Sequence, residues 1–276
     1  MPDPVNAAER VLNDLGISDP NDLQLLDLIA WERGALVNHG HLYGAEGRLT
    51  VIGTRAIITV STAIESQQRR RFTTAHELGH FEMHHRGSKL LLCLDEDIDH
   101  WGSQCSATDK ESEANEFASA LLLPERFFAP MCLAEEPSLD FIIQLADTFD
   151  ASLTATALRY SRFCDQSVAV VFSQDGNIRW FRGSKDFDEV REDLGFFIDV
   201  RGSVDPSTCA ARFFQGYRIP DRPKAIPASA WFTSGRYQSD ATIQEHSLPM
   251  PTYNAVLTLL WIDDDIQEEG DFSWFS

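Results

Sequence analysis

Apolar residues recur with helical spacing at the start of the chain and switch to strand-like spacing after about residue 34. Residues 4–15 place Val5, Ala8, Val11, Leu12 and Leu15 on one helical stripe, and Gly16 stops it. Asp19-Pro20 is an N-cap followed by a first-turn proline, which predicts a second helix to about Arg33, before Gly34. Short apolar runs at 36–37, 48–52 and 56–61 then read as strands, the last two joined by a turn at Gly53-Thr54. No proline interrupts residues 66–85, where Phe72, Ala75, Leu78 and Gly79 supply apolar or small positions and Gly87 a stop, so a helix is expected there. Residues 89–94 read as a strand and 95–108 as an acidic loop carrying His100, Trp101 and Cys105. A further helix over 109–123 has its stripe at Ala114, Phe117, Ala118, Leu121 and Leu122 and ends at Pro124.

Residues 138–163 read as two helices joined by a short turn. Beyond 167 the character changes: 167–172 and 177–181 alternate as strands around a hairpin signal at Gln174-Asp175-Gly176. A short helix over about 186–195, a Pro- and Gly-punctuated middle, the stretch 230–232, a strand at 243–247 and a buried strand at 255–262 follow. The predicted organisation is α+β, with one domain over 1–136, a helical segment over 137–165 and a second α+β domain over 166–276. The second domain carries no catalytic constellation, so it is expected to gate or direct the first.

Composition narrows the function class. Hydrophobic residues at 43% and charged residues at 24% suit a water-soluble globular protein, and no apolar run approaches a membrane span. The net charge of −20 repels phosphate backbones, so direct nucleic-acid binding is not expected. Part of that charge sits in a C-terminal run from Asp263 to Asp271, read as a solvated tail. Five scattered cysteines without a CxxC pair, and an N-terminus without a basic-then-apolar leader pattern, fit reduced thiols in a cytoplasmic protein.

The candidate chemistry lies in residues 71–83. His76-Glu77-x-x-His80 puts two imidazoles one helical turn apart on one face, able to share a metal ion, while Glu77 flanks the place of a metal-bound water that it could deprotonate. Two histidines leave a catalytic zinc one protein ligand short. Glu111, Glu113 and Glu116 compete for that place. Glu111 continues the buried stripe of its helix (111, 114, 118, 122), although Thr108-x-x-Glu111 also fits a capping box, and Glu113 ranks next. Asn115, one turn beyond Glu111, could hold the second nitrogen of a ligand imidazole. His84 is expected to cap its helix or line the cleft. The pair His39 and His41 with Tyr43 reads as a Gly-flanked surface loop, and Arg69-Arg70-Arg71 as a solvated helix face.

Two motifs in order, Arg71-Phe72-Thr73-x-Ala75-His76-Glu77-Leu78-Gly79-His80 with His84, and Glu111-x-x-Ala114-Asn115-x-Phe117-Ala118-x-x-Leu121-Leu122-x-Pro124, resemble those of the ImmA/IrrE metallopeptidases. The resemblance covers roughly residues 1–165 and implies a gluzincin-like core. It also implies Zn²⁺ held by His76, His80 and Glu111, with Glu77 as general base. The helices over 138–163 resemble the helix-turn-helix that follows the core in that family. By the same resemblance the partner is a protein substrate, a helix-turn-helix DNA-binding repressor whose cleavage derepresses stress, phage or mobile-element genes. The alternative is a regulatory or antitoxin-like binding module with a structural or vestigial metal site, to which an intact Glu77 would be of no use.

Overall fold

A computed structural model describes residues 3–84, 90–93, 109–193, 195–234 and 241–262. The expected loop with His100, Trp101 and Cys105, the stop at Gly87 and the acidic tail lie outside the described residues. The architecture is mixed α+β. Two compact units are present: Met1–Met131 with Gln144–Thr156, and Cys132–Ile143 with Ala157–Ser276. Two of the boundaries between the units fall within the helical segment expected over 137–165.

The first unit opens with α1 (Pro4–Asp14), which the Asp3 carboxylate caps by accepting from the Val5 N–H at 3.0 Å. The single helix expected over 20–33 is broken. Pro20–Gln24 forms one 3₁₀ turn, and α2 (Leu26–Glu32) starts after a break at Leu25. That break frees the Leu23 and Gln24 carbonyls, and Arg71 takes both, as described below. A four-stranded sheet follows, built from β1 (Ala35–Gly40), β2 (Gly47–Ile52), β3 (Arg55–Ser61) and β4 (Leu90–Cys93) in the order β1-β3-β2-β4. The hairpin between β2 and β3 turns at Gly53, whose φ of +63° suits glycine. Along β2 the buried positions alternate at Gly47, Leu49 and Val51, the pattern of a strand with one face on a core. That core includes α3 (Gln67–His84), which packs on β2 and β3.

Helix α3 is buried without a break from Thr73 to Phe81. Helix α4 (Asp109–Leu122) packs along it with all five residues of the expected stripe buried. Gly79 admits that neighbour: a Cβ there would lie 2.9 Å from the Phe117 ring. The close partner is an aromatic side chain. Arg69-Arg70-Arg71 is not a solvated face. Arg69 pairs with Glu46 at 2.7 Å, and Arg70 donates to the Ile64 carbonyl at 2.7 Å. Arg71 is 8% exposed and donates to the carbonyls of Leu23 (2.9 Å), Gln24 (3.2 Å) and Asp150 (3.1 Å).

After α5 (Glu125–Cys132) come α6 (Leu139–Phe149) and α7 (Leu153–Phe163), the two helices expected, joined at Asp150 with φ +47°. The Asp150 carboxylate accepts from Gln67 and Gln68 and pairs with Arg71 at 3.3 Å, fixing this turn to the start of α3. Arg159, one of two arginines on α7, is 4% exposed with its guanidinium over the Phe163 ring, so it is not displayed to a phosphate backbone.

The second unit is built on a sheet of order β6-β5-β11-β10-β8. Its strands are β5 (Val168–Gln174), β6 (Asn177–Gly183), β8 (Lys224–Pro227), β10 (Thr242–Met250) and β11 (Ala255–Trp261), with α8 (Lys185–Asp193) following β6. A further pair, β7 (Phe196–Phe197) and β9 (Thr233–Ser234), stands apart. The β5–β6 turn has positive φ at Asp175 and Gly176, the conformation that the Asp-Gly pair predicts. Strand β11 is central and buried at all seven positions, six of them apolar and the seventh Thr258. The punctuated middle hides a short helix, α9 (Cys209–Phe214), capped by Thr208 and by a buried Glu245 that accepts from the Cys209 and Ala210 N–H groups. Burial pushes the Cys132 thiol up to about 12 and the Cys209 thiol to about 11, so both pack as neutral small hydrophobes.

Candidate metal centre

Helix α3 carries His76, Glu77 and His80 on its most enclosed stretch, at 0%, 0% and 1% exposure. The i, i+4 spacing sets the two imidazoles edge to face, with ring centroids 4.7 Å apart and planes at 82°. Their Nε2 atoms approach to 3.1 Å. Glu111, from the first turn of α4, brings Oε2 to 3.2 Å from each of those nitrogens. Among the described residues these three form a group that could hold a metal ion.

The spacing fits a metal. Ligand atoms bonded to zinc at about 2.0–2.1 Å in a tetrahedral arrangement lie about 3.3 Å from one another. The donor set of two imidazoles and one carboxylate is a catalytic-zinc type, leaving one tetrahedral position open. The far side of His76 supports the same reading: its Nδ1 lies 2.9 Å from Asn115 Oδ1. An amide oxygen only accepts, so Nδ1 carries the proton and the lone pair of Nε2 is free to bind a cation. Burial lowers the His80 pKa, which keeps that ring neutral and able to ligate. At Glu111 burial acts to raise the pKa, and the two adjacent histidines outweigh it and hold the carboxyl well below its ordinary range.

The other candidates fall elsewhere. Glu113 meets His84, with Oε2 2.6 Å from Nε2, and does not join the three-atom group. Glu116 is exposed. His84, expected to cap its helix or line the cleft, stands one turn beyond His80; its side chain is 5% exposed, and its Nδ1 lies 3.3 Å from Nδ1 of His80. His39, His41 and Tyr43 are exposed, as expected, but His39 lies on strand β1, paired with Val60, and not in a loop; the His41 and Tyr43 rings are 4.4 Å apart.

Sequence reading missed one residue of the site. Glu77 lies against Gly47 of β2, where a Cβ would sit 3.0 Å from the Glu77 carboxyl carbon and 2.8 Å from Thr73 Cγ2. Its φ is not in the left-handed region, so the glycine serves space and not backbone freedom. A glycine opening a predicted strand, where it weakens the strand, was the available signal.

Residues 37–161 match the sequence profile of the IrrE N-terminal-like domain, a peptidase family of the M78 class. This segment belongs to the ImmA/IrrE family. The ImmA/IrrE segment contains both motifs, the sheet and the helices α6 and most of α7, and it leaves the sheet of the second unit outside. Among solved structures the chain is similar to a Mycobacterium tuberculosis transcriptional regulator, with a TM-score of 0.57 at 18% identity, covering 100% of this chain and 80% of that one. At that identity the likeness concerns the fold. No curated protein sequence matches the chain. Among the described residues no helix is long and apolar enough to cross a membrane.

Proposed function

We propose that this ImmA/IrrE chain is a zinc-dependent endopeptidase whose substrate is a protein, a helix-turn-helix transcriptional repressor. The observation that carries the reading is the convergence of His76 Nε2, His80 Nε2 and Glu111 Oε2 at 3.1–3.2 Å beside a buried Glu77. A zinc ion held there supplies Lewis acidity, polarising the scissile carbonyl and making water more acidic. Glu77 removes a proton from the attacking water as its oxygen adds to the carbonyl carbon. The same carboxyl then gives that proton to the amide nitrogen, and the C–N bond breaks. Gly47 leaves room for the carboxylate that does this, and Asn115 holds the His76 ring. A repressor as substrate rests on the family, and a gluzincin-like core on the resemblance of the two motifs.

The test is Glu77→Gln, which keeps the shape of the side chain and removes its proton acceptance. Zinc content and thermal stability are expected to match the parent protein, while cleavage of a co-expressed helix-turn-helix repressor encoded beside the gene falls by about 10²–10⁴. Cleavage at the parent rate by this variant overturns the mechanism. If neither protein cleaves and both give the same biological output, the chain acts as a binding module.

A further inference from the structure

We infer that Glu113 and His84 are positioning residues that fix the tautomer of His80, so that its Nε2 presents a lone pair to the ion. The inference rests on the reading of His76, His80 and Glu111 as a metal site. Three side chains form a line: Glu113 Oε2 lies 2.6 Å from His84 Nε2, and His84 Nδ1 lies 3.3 Å from His80 Nδ1. The far nitrogen of His80 then faces His76 and Glu111 at 3.1 and 3.2 Å.

The hydrogens along this line can be assigned from one end. A carboxylate only accepts, so the proton shared with it sits on His84 Nε2. A neutral imidazole protonated at Nε2 has a bare Nδ1, which accepts. His80 therefore donates from Nδ1, and its Nε2 is left unprotonated toward the other two ligand atoms. The reverse assignment has His84 donating from Nδ1 and His80 protonated on Nε2, with an N–H aimed where a cation must bind. Glu113 decides between the two because it is the one member of the line that cannot donate.

His76 reaches the same state by a shorter route, since Asn115 accepts from its Nδ1 directly. Helix α4 thus provides a ligand and both ends of the histidine supports from positions 111, 113 and 115. The relay is needed on the His80 side because its Nδ1 faces the last turn of its own helix, where His84 stands. The near-complete enclosure of the His84 side chain, 5% exposed, keeps water from supplying the acceptor in its place.

Zinc affinity of the full-length protein, measured by competition with a chromophoric chelator, tests the relay. His84→Ala and Glu113→Ala should each weaken zinc binding by about 10–100-fold, the usual effect of removing a group that orients a ligand. Melting temperatures of the metal-free proteins should change little. His84→Asn should restore affinity, because its amide oxygen falls where His84 Nδ1 was and accepts unaided. In that background a further Glu113→Ala should cost nothing. Unchanged affinity in the single Glu113→Ala variant overturns the relay, and so does an equal loss in the His84→Asn background. Failure of the parent protein to bind zinc at all would instead remove the metal-site reading on which the relay rests.

Discussion

Arg71 is the most demanding test of how the first unit is held together. Its guanidinium reaches three main-chain carbonyls, of Leu23, Gln24 and Asp150, and the Asp150 carboxylate at 3.3 Å. Burial lowers its pKa and Asp150 pulls it back, so the charge is retained and the donors are strong. Arg71→Ala strands three carbonyl acceptors from two parts of the chain, each costing about 1–3 kcal/mol when left without a partner. Water entering the space left behind recovers part of this, and Gln67 and Gln68 still serve the Asp150 carboxylate. A net loss of about 3–5 kcal/mol is expected, the range for breaking a buried charged pair. In a unit of this size that is on the order of 6–15 °C in melting temperature. Arg71→Lys, which keeps the charge but cannot fork to three acceptors, should lose roughly half as much. Calorimetry with a chelator present keeps metal binding from masking the difference. A loss below about 1 kcal/mol for the alanine variant would mean that these contacts behave as a solvated surface, and the packing argument would fall.

At Gly47, substitution by Ala should retain zinc, cost about 1–3 kcal/mol in stability because Thr73 Cγ2 must also give way, and reduce cleavage by about 10²-fold, since the Glu77 carboxyl must withdraw by roughly an ångström; parent-level turnover would refute the slot. Gly79→Val should destabilise the protein in thermal melts by about 1–3 kcal/mol, because its side chain must displace the Phe117 ring; an unchanged melt refutes the close approach. In the second unit Glu245 accepts from two main-chain N–H groups, Trp231 Nε1 and Ser247 Oγ. Glu245→Gln sets an NH₂ against some of those donors and should cost about 2–4 kcal/mol in chemical unfolding, with no change in zinc content; a loss under half of that would argue against a fully paired carboxylate.

What the sequence made legible was what local spacing governs. His76 and His80 are one turn apart, so their convergence follows from helix geometry; Glu111 follows from continuing a buried stripe, and Asn115 from standing one turn beyond Glu111. Strand β11 announced its burial by an apolar run interrupted only by Thr258, and the β5–β6 turn by Asp175-Gly176. What stayed hidden depends on partners far along the chain. The carbonyls of Leu23 and Gln24, freed where the expected second helix breaks, carry no residue-type signal for an arginine nearly 50 positions on. Glu113 looked like a rival ligand because its helical position is adjacent to the stripe; only the placement of His84 gives it another partner. The fit of Gly47 to Glu77 likewise joins a strand to a helix thirty residues later, where a lone glycine reads as a weak strand position.

The division of the chain bears on its biogenesis. Because residues 144–156 return to the first unit after 132–143 have joined the second, the first cannot be completed until synthesis has passed residue 156. Asp150, the acceptor for Arg71, is among those late arrivals. A proteolytic cut near residue 165 would leave the first unit entire but trailing Leu139, Ile142, Ala157 and Tyr160, all buried positions that belong to the other unit. Such a fragment would carry sticky, aggregation-prone ends. Limited proteolysis is therefore expected to be a poor way to liberate an ImmA/IrrE core from this chain.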